Sequence, residues 1–263
     1  MHRKRLIVAA ALLPVLFLYV MYLPRGYFFI LLSAVSLLGM LEFYSMYRVQ
    51  GALRYACFFF GVFILAVSYF SQEHLFEALV FSAMAIMAIR LLTKRDPLSS
   101  LHDIAAPVVG LLYIPGFLSS QIQIRNAGAE WIIFLYATVW ASDSAAYYIG
   151  KGIGKKKLYQ EMSPNKTVAG AVGSVAGGAA GALILKVLIV PQLTLPSAAF
   201  IGCLIGIISI AGDLVESMFK RDAGVKDSGV IIPGHGGILD KIDGTLFAGP
   251  LLYWILTFKG LLR

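Results

Sequence analysis

Apolar runs of about 17 to 22 residues recur along the chain, and each is long enough to cross a hydrocarbon core of roughly 30 Å at 1.5 Å per helical residue. That recurrence constrains the fold more than any motif does. Backbone inside a bilayer must satisfy its own hydrogen bonds, so an all-helical bundle follows. Composition agrees. The 263 residues are 59% hydrophobic with a mean hydropathy of +0.81, against roughly 45–50% apolar content in soluble domains. The expected fold class is an all-α, polytopic integral membrane bundle.

The expected spans are 6–23, 27–47, 55–70, 75–92, 104–120, 131–149, 168–190, 197–219 and 246–258, about nine in all. The first follows a basic MHRKR head but is too long for an ordinary signal-peptide core and lacks a small-residue cleavage site, so it reads as a retained span. Placing the N-terminus in the cytoplasm puts all but Arg25, Arg125, Lys186, Lys259 and Arg263 of the 22 Lys and Arg residues on or near that side, as the positive-inside rule requires. The formal charge of +8 is therefore explained by topology. Scattered among membrane loops, it predicts no nucleic-acid partner. Cys57 and Cys203 lie in apolar runs without a paired spacing, and read as packed free thiols.

Pro107, Gly110, Pro115 and Gly116 predict a bend in the fifth span. Gly173, Gly177 and Gly181 repeat at four-residue intervals, a face that permits close helix approach within one subunit or across a homodimer. Residues 1–130 read as supporting helices, and 131–263 as the region carrying chemistry.

Charge concentrates abruptly between Asp213 and Asp243. Ionisable groups beside a bilayer are costly and mark function by default. Asp213, Ser217 and Lys220 share one helix face at i, i+4 and i+7, with Glu216 beside it. The loop that follows supplies Arg221, Lys226 and Asp227, then PGHGGILDKID. Gly234, Gly236 and Gly237 leave amides open around His235, which suits close approach of a phosphate. His235 is a candidate general base or phosphate donor, although a lone histidine more often just holds a loop. Asp240 and Asp243 face the same way if their turn is helical. With Asp213 they offer an oxygen-rich site for magnesium, which commonly binds through one or two carboxylates plus substrate phosphates.

A second charged loop runs from Lys151 to Thr167. Asp143 lies about two turns inside the preceding span, where a buried carboxylate wants a cation. GKGIGKKK has neither the glycine spacing nor the hydroxyl of a P-loop and reads better as a lipid-headgroup contact. Ser163, Asn165, Lys166 and Thr167, in SPNKT, offer donors just before an apolar helix, where phosphate is favoured. An ordinary helix start would look similar.

These residues together resemble the phosphatidate cytidylyltransferases. The resemblance is carried by SMFKRDAGVKDSGVIIPGHGGILDKID, with WASDSAAYYIG, SPNKT and GDLVESMFKR upstream in the family's order. It departs in two places: Lys241 stands where the family usually has arginine between the last aspartates, and Ala169 where it commonly has glutamate. Lysine keeps the charge but loses the planar fork.

The resemblance implies a reaction of CTP with phosphatidate that yields CDP-diacylglycerol and pyrophosphate. It implies magnesium, with room for a second cation, held first by Asp213 and Asp240 with Asp243 and Asp227 in support. Lys220, Arg221, Lys226 and Lys241 would clamp phosphate. Ser163, Asn165, Lys166 and Thr167 would contact nucleotide or lipid phosphate. The expected location is a bacterial inner membrane with the site on its cytoplasmic side. Two other readings stand beside it: a transporter or flippase for an anionic substrate, and a CTP-dependent transferase acting on an isoprenoid lipid phosphate.

Overall fold

The computed structural model describes residues 14–94, 96–229 and 236–261. Gly234, His235 and the start of the first expected span lie outside the described residues. Helix α1 covers 14–22. It is followed by α2 (Arg25–Met46), α3 (Gly51–Phe70), α4 (Leu75–Thr93), α5 (Ser100–Leu111), α6 (Phe117–Ala127) and α7 (Ala129–Ile153). Two short strands come next, β1 (Lys157–Tyr159) and β2 (Ser163–Thr167), then α8 (Val168–Leu188), α9 (Leu195–Asp222) and α10 (Leu239–Phe258).

Six helical stretches among the described residues are long and apolar enough to cross a membrane: α2, α3, α4 with its leading turn, the α5–α6 rod, α8 and α9. The protein is thus a helical membrane bundle, although nine spans are not reached on that measure. Helices α7 and α10, at 25 and 20 residues, are also long enough. They are more polar because they carry Asp143, Asp240 and Asp243. The first expected span overlaps the described residues only in α1.

The bend expected in the fifth span is a π-helical turn at Leu112–Gly116 joining α5 to α6, with Pro107 inside α5 and Pro115 inside the turn. Proline removes an amide donor and crowds the preceding turn, and a π turn absorbs the misfit. The second charged loop carries regular structure. Its strands form an antiparallel hairpin that pairs Lys157 with Thr167 and Tyr159 with Ser163. Thr167 then caps α8, its Oγ1 accepting from Gly170 N at 3.1 Å.

Helices α7 to α10 form the closely packed half of the bundle. A Cβ at Gly177 would meet Ala145 and Ala141 on α7, one at Gly178 the backbone of Gly202 on α9, and one at Gly206 the carbonyl of Ser174 at 2.6 Å. The glycine face that could have served a dimer is therefore occupied inside the chain. Such close backbone contact favours van der Waals packing where lipid offers no hydrophobic driving force. Cys57 is buried, Cys203 half-buried, and both are free thiols.

Candidate active site

Helix α9 continues to Asp222, beyond the expected end at 219, and α10 starts at Leu239 rather than at the apolar stretch from Leu246. Both charged ends are therefore helical, which fixes the direction of every side chain on them. The two helices meet closely. A Cβ at Gly212 would lie 2.5 Å from the carbonyl oxygen of Asp243, and one at Gly244 would lie 2.5 Å from Ser209 Oγ. With no side chain in the way, one oxygen each from Asp213, Glu216 and Asp243 falls within 4.8 Å of the others.

Asp213 and Asp243 of this trio line a cavity of about 700 Å³ whose walls come from α7, the hairpin, α8, α9 and α10. Asp143, Ser163, Asn165, Lys166, Thr167, Asp213, Asp240 and Asp243, all singled out from the sequence, line it. The hairpin puts Lys166 opposite the acids, its Nζ 2.7 Å from Asp213 Oδ2. The angles of that contact fall outside hydrogen bonding, so the buried ammonium has no hydrogen-bond acceptor among the described residues. Asp143 accepts from Ser209 Oγ at 3.0 Å, and Ser217 Oγ lies 3.4 Å from Asp213 Oδ1.

The arrangement differs from the anticipated ligand set at Asp240. Its Oδ1 lies 2.6 Å from Lys220 Nζ. Its Oδ2 accepts from Gly237 N at 2.8 Å and from Ser228 Oγ and N at 3.0 and 3.3 Å. Glu216 stands instead with Asp213 and Asp243. Its Oε2 lies 2.7 Å from Lys220 Nζ, and its buried Oε1 has no hydrogen-bond partner among the described residues. The Gly237 amide, expected to await a phosphate, is taken by Asp240.

Other expected residues stand further off. Lys226, Asp227 and Lys241 are exposed and do not line the cavity. Lys220 is buried as the bridge between Glu216 and Asp240. Arg221 donates to the carbonyls of Met162 and Val225, tying the hairpin to the end of α9. Gly236 enters α10 with a φ of +85°, a conformation that glycine adopts without steric cost.

The residues fit a hard divalent cation. All donors of the trio are carboxylate oxygens, and Glu216 Oε1 is a buried acceptor with no donor among the described residues. The cavity wall carries Asp143, Asp213, Asp240 and Asp243 with Lys151, Lys157 and Lys166, and Glu216 and Lys220 join them as ion-pair partners just off the wall. Only Lys166 and Lys220 of these lysines form ion pairs with the acids, so a bound cation would answer carboxylate charge that the pairs leave over. A shallower hollow of about 590 Å³ near Gln72, Glu73, Gln123 and Tyr253 holds one acid and no cation.

Fold and cavity together define a class: a polytopic membrane protein with a polar pocket that opposes a carboxylate cluster to a lysine-bearing hairpin. The chain belongs to the cytidylyltransferase family, which it matches over residues 3–259. It is similar to the phosphatidate cytidylyltransferase of Bacillus subtilis (strain 168), 32% identical over 96% of this chain and 97% of that one. The phosphatidate cytidylyltransferase of Synechocystis sp. is 34% identical over 88% of each. That of Brucella suis is 42% identical over 56% of this chain and 55% of its own.

The sequence reading passed over Glu216 as a ligand, and over Ser209 and Glu42 altogether. Glu216 was visible as a neighbour of the Asp213 face, but helical spacing alone could not choose between it and Asp240. The signal for Glu42 was a carboxylate inside an apolar run, a position that is a functional hypothesis by default.

Proposed function

We propose that the chain transfers the cytidylyl group of CTP to phosphatidate, giving CDP-diacylglycerol and pyrophosphate. The carrying observation is the carboxylate trio, with Asp213 and Asp243 on the wall of one cavity and Lys166 beside Asp213 on the same wall. A phosphate oxygen of the lipid attacks the α-phosphorus of CTP, the bond from that phosphorus to the bridging oxygen breaks, and pyrophosphate leaves. Two anionic reactants meet, so alignment and charge neutralisation carry the catalysis, without a covalent nucleophile. Asp213, Glu216 and Asp243 would hold magnesium, which would supply positive charge to the triphosphate; Asp143 is a further carboxylate on the wall for a second cation.

Lys166 donates to phosphate from the hairpin, with Ser163 and Asn165 beside it. Thr167 sets the hairpin's exit by capping α8, and Arg221 holds the hairpin against α9. Lys220 orients Glu216 and Asp240. Lys226, Asp227 and Lys241, being exposed, act at the cavity mouth or on lipid headgroups rather than on the reacting phosphorus. Residues 131–263 carry the chemistry and 1–130 support it. The cavity opens to the cytoplasmic side of a bacterial cell membrane, where dissolved CTP meets a lipid whose acyl chains stay in the bilayer.

The test is pyrophosphate release by purified protein in detergent–lipid micelles with CTP, phosphatidate and magnesium, each omitted in turn. Release that needs all three, with CDP-lipid formed in equal amount, is expected. Release that is indifferent to phosphatidate but responds to an isoprenoid phosphate would replace the acceptor, and none from folded protein with either lipid would end the reading.

A further inference from the structure

Glu42 lies on α2, within the half of the chain that supports the site, and is 2% exposed. Its Oε1 accepts from Ile238 N at 2.9 Å, and its Oε2 from Leu239 N and Ser228 Oγ, each at 3.0 Å. Two of the partners are backbone amides, which can only donate, one to each carboxylate oxygen, an arrangement a carboxylate satisfies and a side-chain amide cannot. Ile238 and Leu239 open α10, whose N-cap residue makes no side-chain cap of its own. The first amides of a helix lack intrahelical acceptors, and a carboxylate there also meets the positive end of the helix dipole. Glu42 therefore caps α10 from a position 196 residues away in the chain.

The contact extends towards the site. Ser228 Oγ lies 3.0 Å from Asp240 Oδ2 as well as from Glu42 Oε2, so one hydroxyl is shared between two carboxylates. Asp240 in turn binds Lys220, and Lys220 binds Glu216 of the trio. The backbone is closed on the carboxylate, since a Cβ at Gly229 would lie 2.6 Å from Glu42 Oε1.

We propose that Glu42 is a positioning residue. It fixes the chain entering α10 and thereby the directions in which Asp240 and Asp243 meet the cavity. Its effect on turnover rests on the cytidylyl-transfer reading; its effect on the backbone does not.

Glu42→Gln preserves size but sets an NH2 group against one of the three donors. Hydrogen exchange of residues 236–243 in detergent micelles should quicken by roughly tenfold or more, as for loss of one hydrogen bond to a charged group. The magnesium concentration for half-maximal pyrophosphate release should rise roughly 10–100-fold, the range seen when a group standing behind metal ligands is altered. Ser228→Ala, which spares both carboxylates, should move both readouts the same way by less, and it decides the matter alone if Glu42→Gln does not fold. Wild-type exchange in a folded variant would overturn the proposal. So would a lower kcat with half-saturating magnesium and CTP unchanged, because Glu42 would then be only a structural cap. A wild-type protein that releases no pyrophosphate would count against the function, while the exchange measurement still judges Glu42.

Discussion

Replacing Lys220 with methionine removes the cation between two carboxylates while keeping the length of the side chain. Lys220 is 8% exposed and lies 2.7 Å from Glu216 Oε2 and 2.6 Å from Asp240 Oδ1. The two partners are not left equally poor. Asp240 keeps the Gly237 amide and the Ser228 hydroxyl and amide. Glu216, whose side chain is 2% exposed, loses the partner of Oε2, and its Oε1 has none among the described residues. The cost therefore falls mainly on one buried carboxylate, and stripping a partner from a buried ion pair costs about 3–5 kcal/mol. Unfolding in mixed detergent micelles without divalent cations should register a loss of that order.

Magnesium should recover more stability in Lys220→Met than in the wild type, because a cation at the trio answers the charge that Lys220 had answered. Adding Glu216→Gln to Lys220→Met should return much of the loss, as the orphaned charge is then gone. A loss under about 0.5 kcal/mol, the range of an ordinary surface substitution, would refute the reasoning. Strict additivity of the two substitutions would refute it equally, since residues in one ion network couple.

Asp213→Asn should abolish magnesium-dependent turnover in a protein that remains folded, and a normal rate at saturating magnesium would remove Asp213 from the metal site. Lys166→Ala should lower kcat/KM by roughly 10²-fold or more, as expected for a group acting on transition-state charge, whereas Lys241→Ala, exposed and off the cavity wall, should cost far less; equal losses would mean that Lys241 swings into the site. In a Cys57→Ala, Cys203→Ala background, Lys155→Cys should react with a membrane-impermeant maleimide only from the cytoplasmic face, and labelling solely from the opposite face would invert the topology.

Much of this protein could be read one helix at a time. The run of apolar residues under Val168–Leu188 is a helix in the sequence and in the structure, because a bilayer leaves its backbone no other acceptors. Pro107 and Pro115 announced the bend between α5 and α6 for an equally local reason, a missing donor and a steric clash. The hairpin was harder to read. Its two strands are three and five residues long, too short for an alternating pattern, and only their pairing makes SPNKT a wall of the cavity rather than a plain helix start.

Sequence alone determined that the chain is a membrane helical bundle, that its charge gathers at two places, and which groups share a face of α9. These follow from the rise and period of a helix and from the solvent around it, which act on neighbours in the chain. Which helices meet, and at what depth, was decided in three dimensions. The close approach of α9 and α10 at Gly212 and Gly244 joined Asp243 to Asp213 and Glu216, while Lys220 and the Gly237 amide drew Asp240 aside. Glu42 reaches α10 across 196 positions of chain, a contact no helical period encodes, because it depends on the packing of one rod against another rather than on the spacing along either.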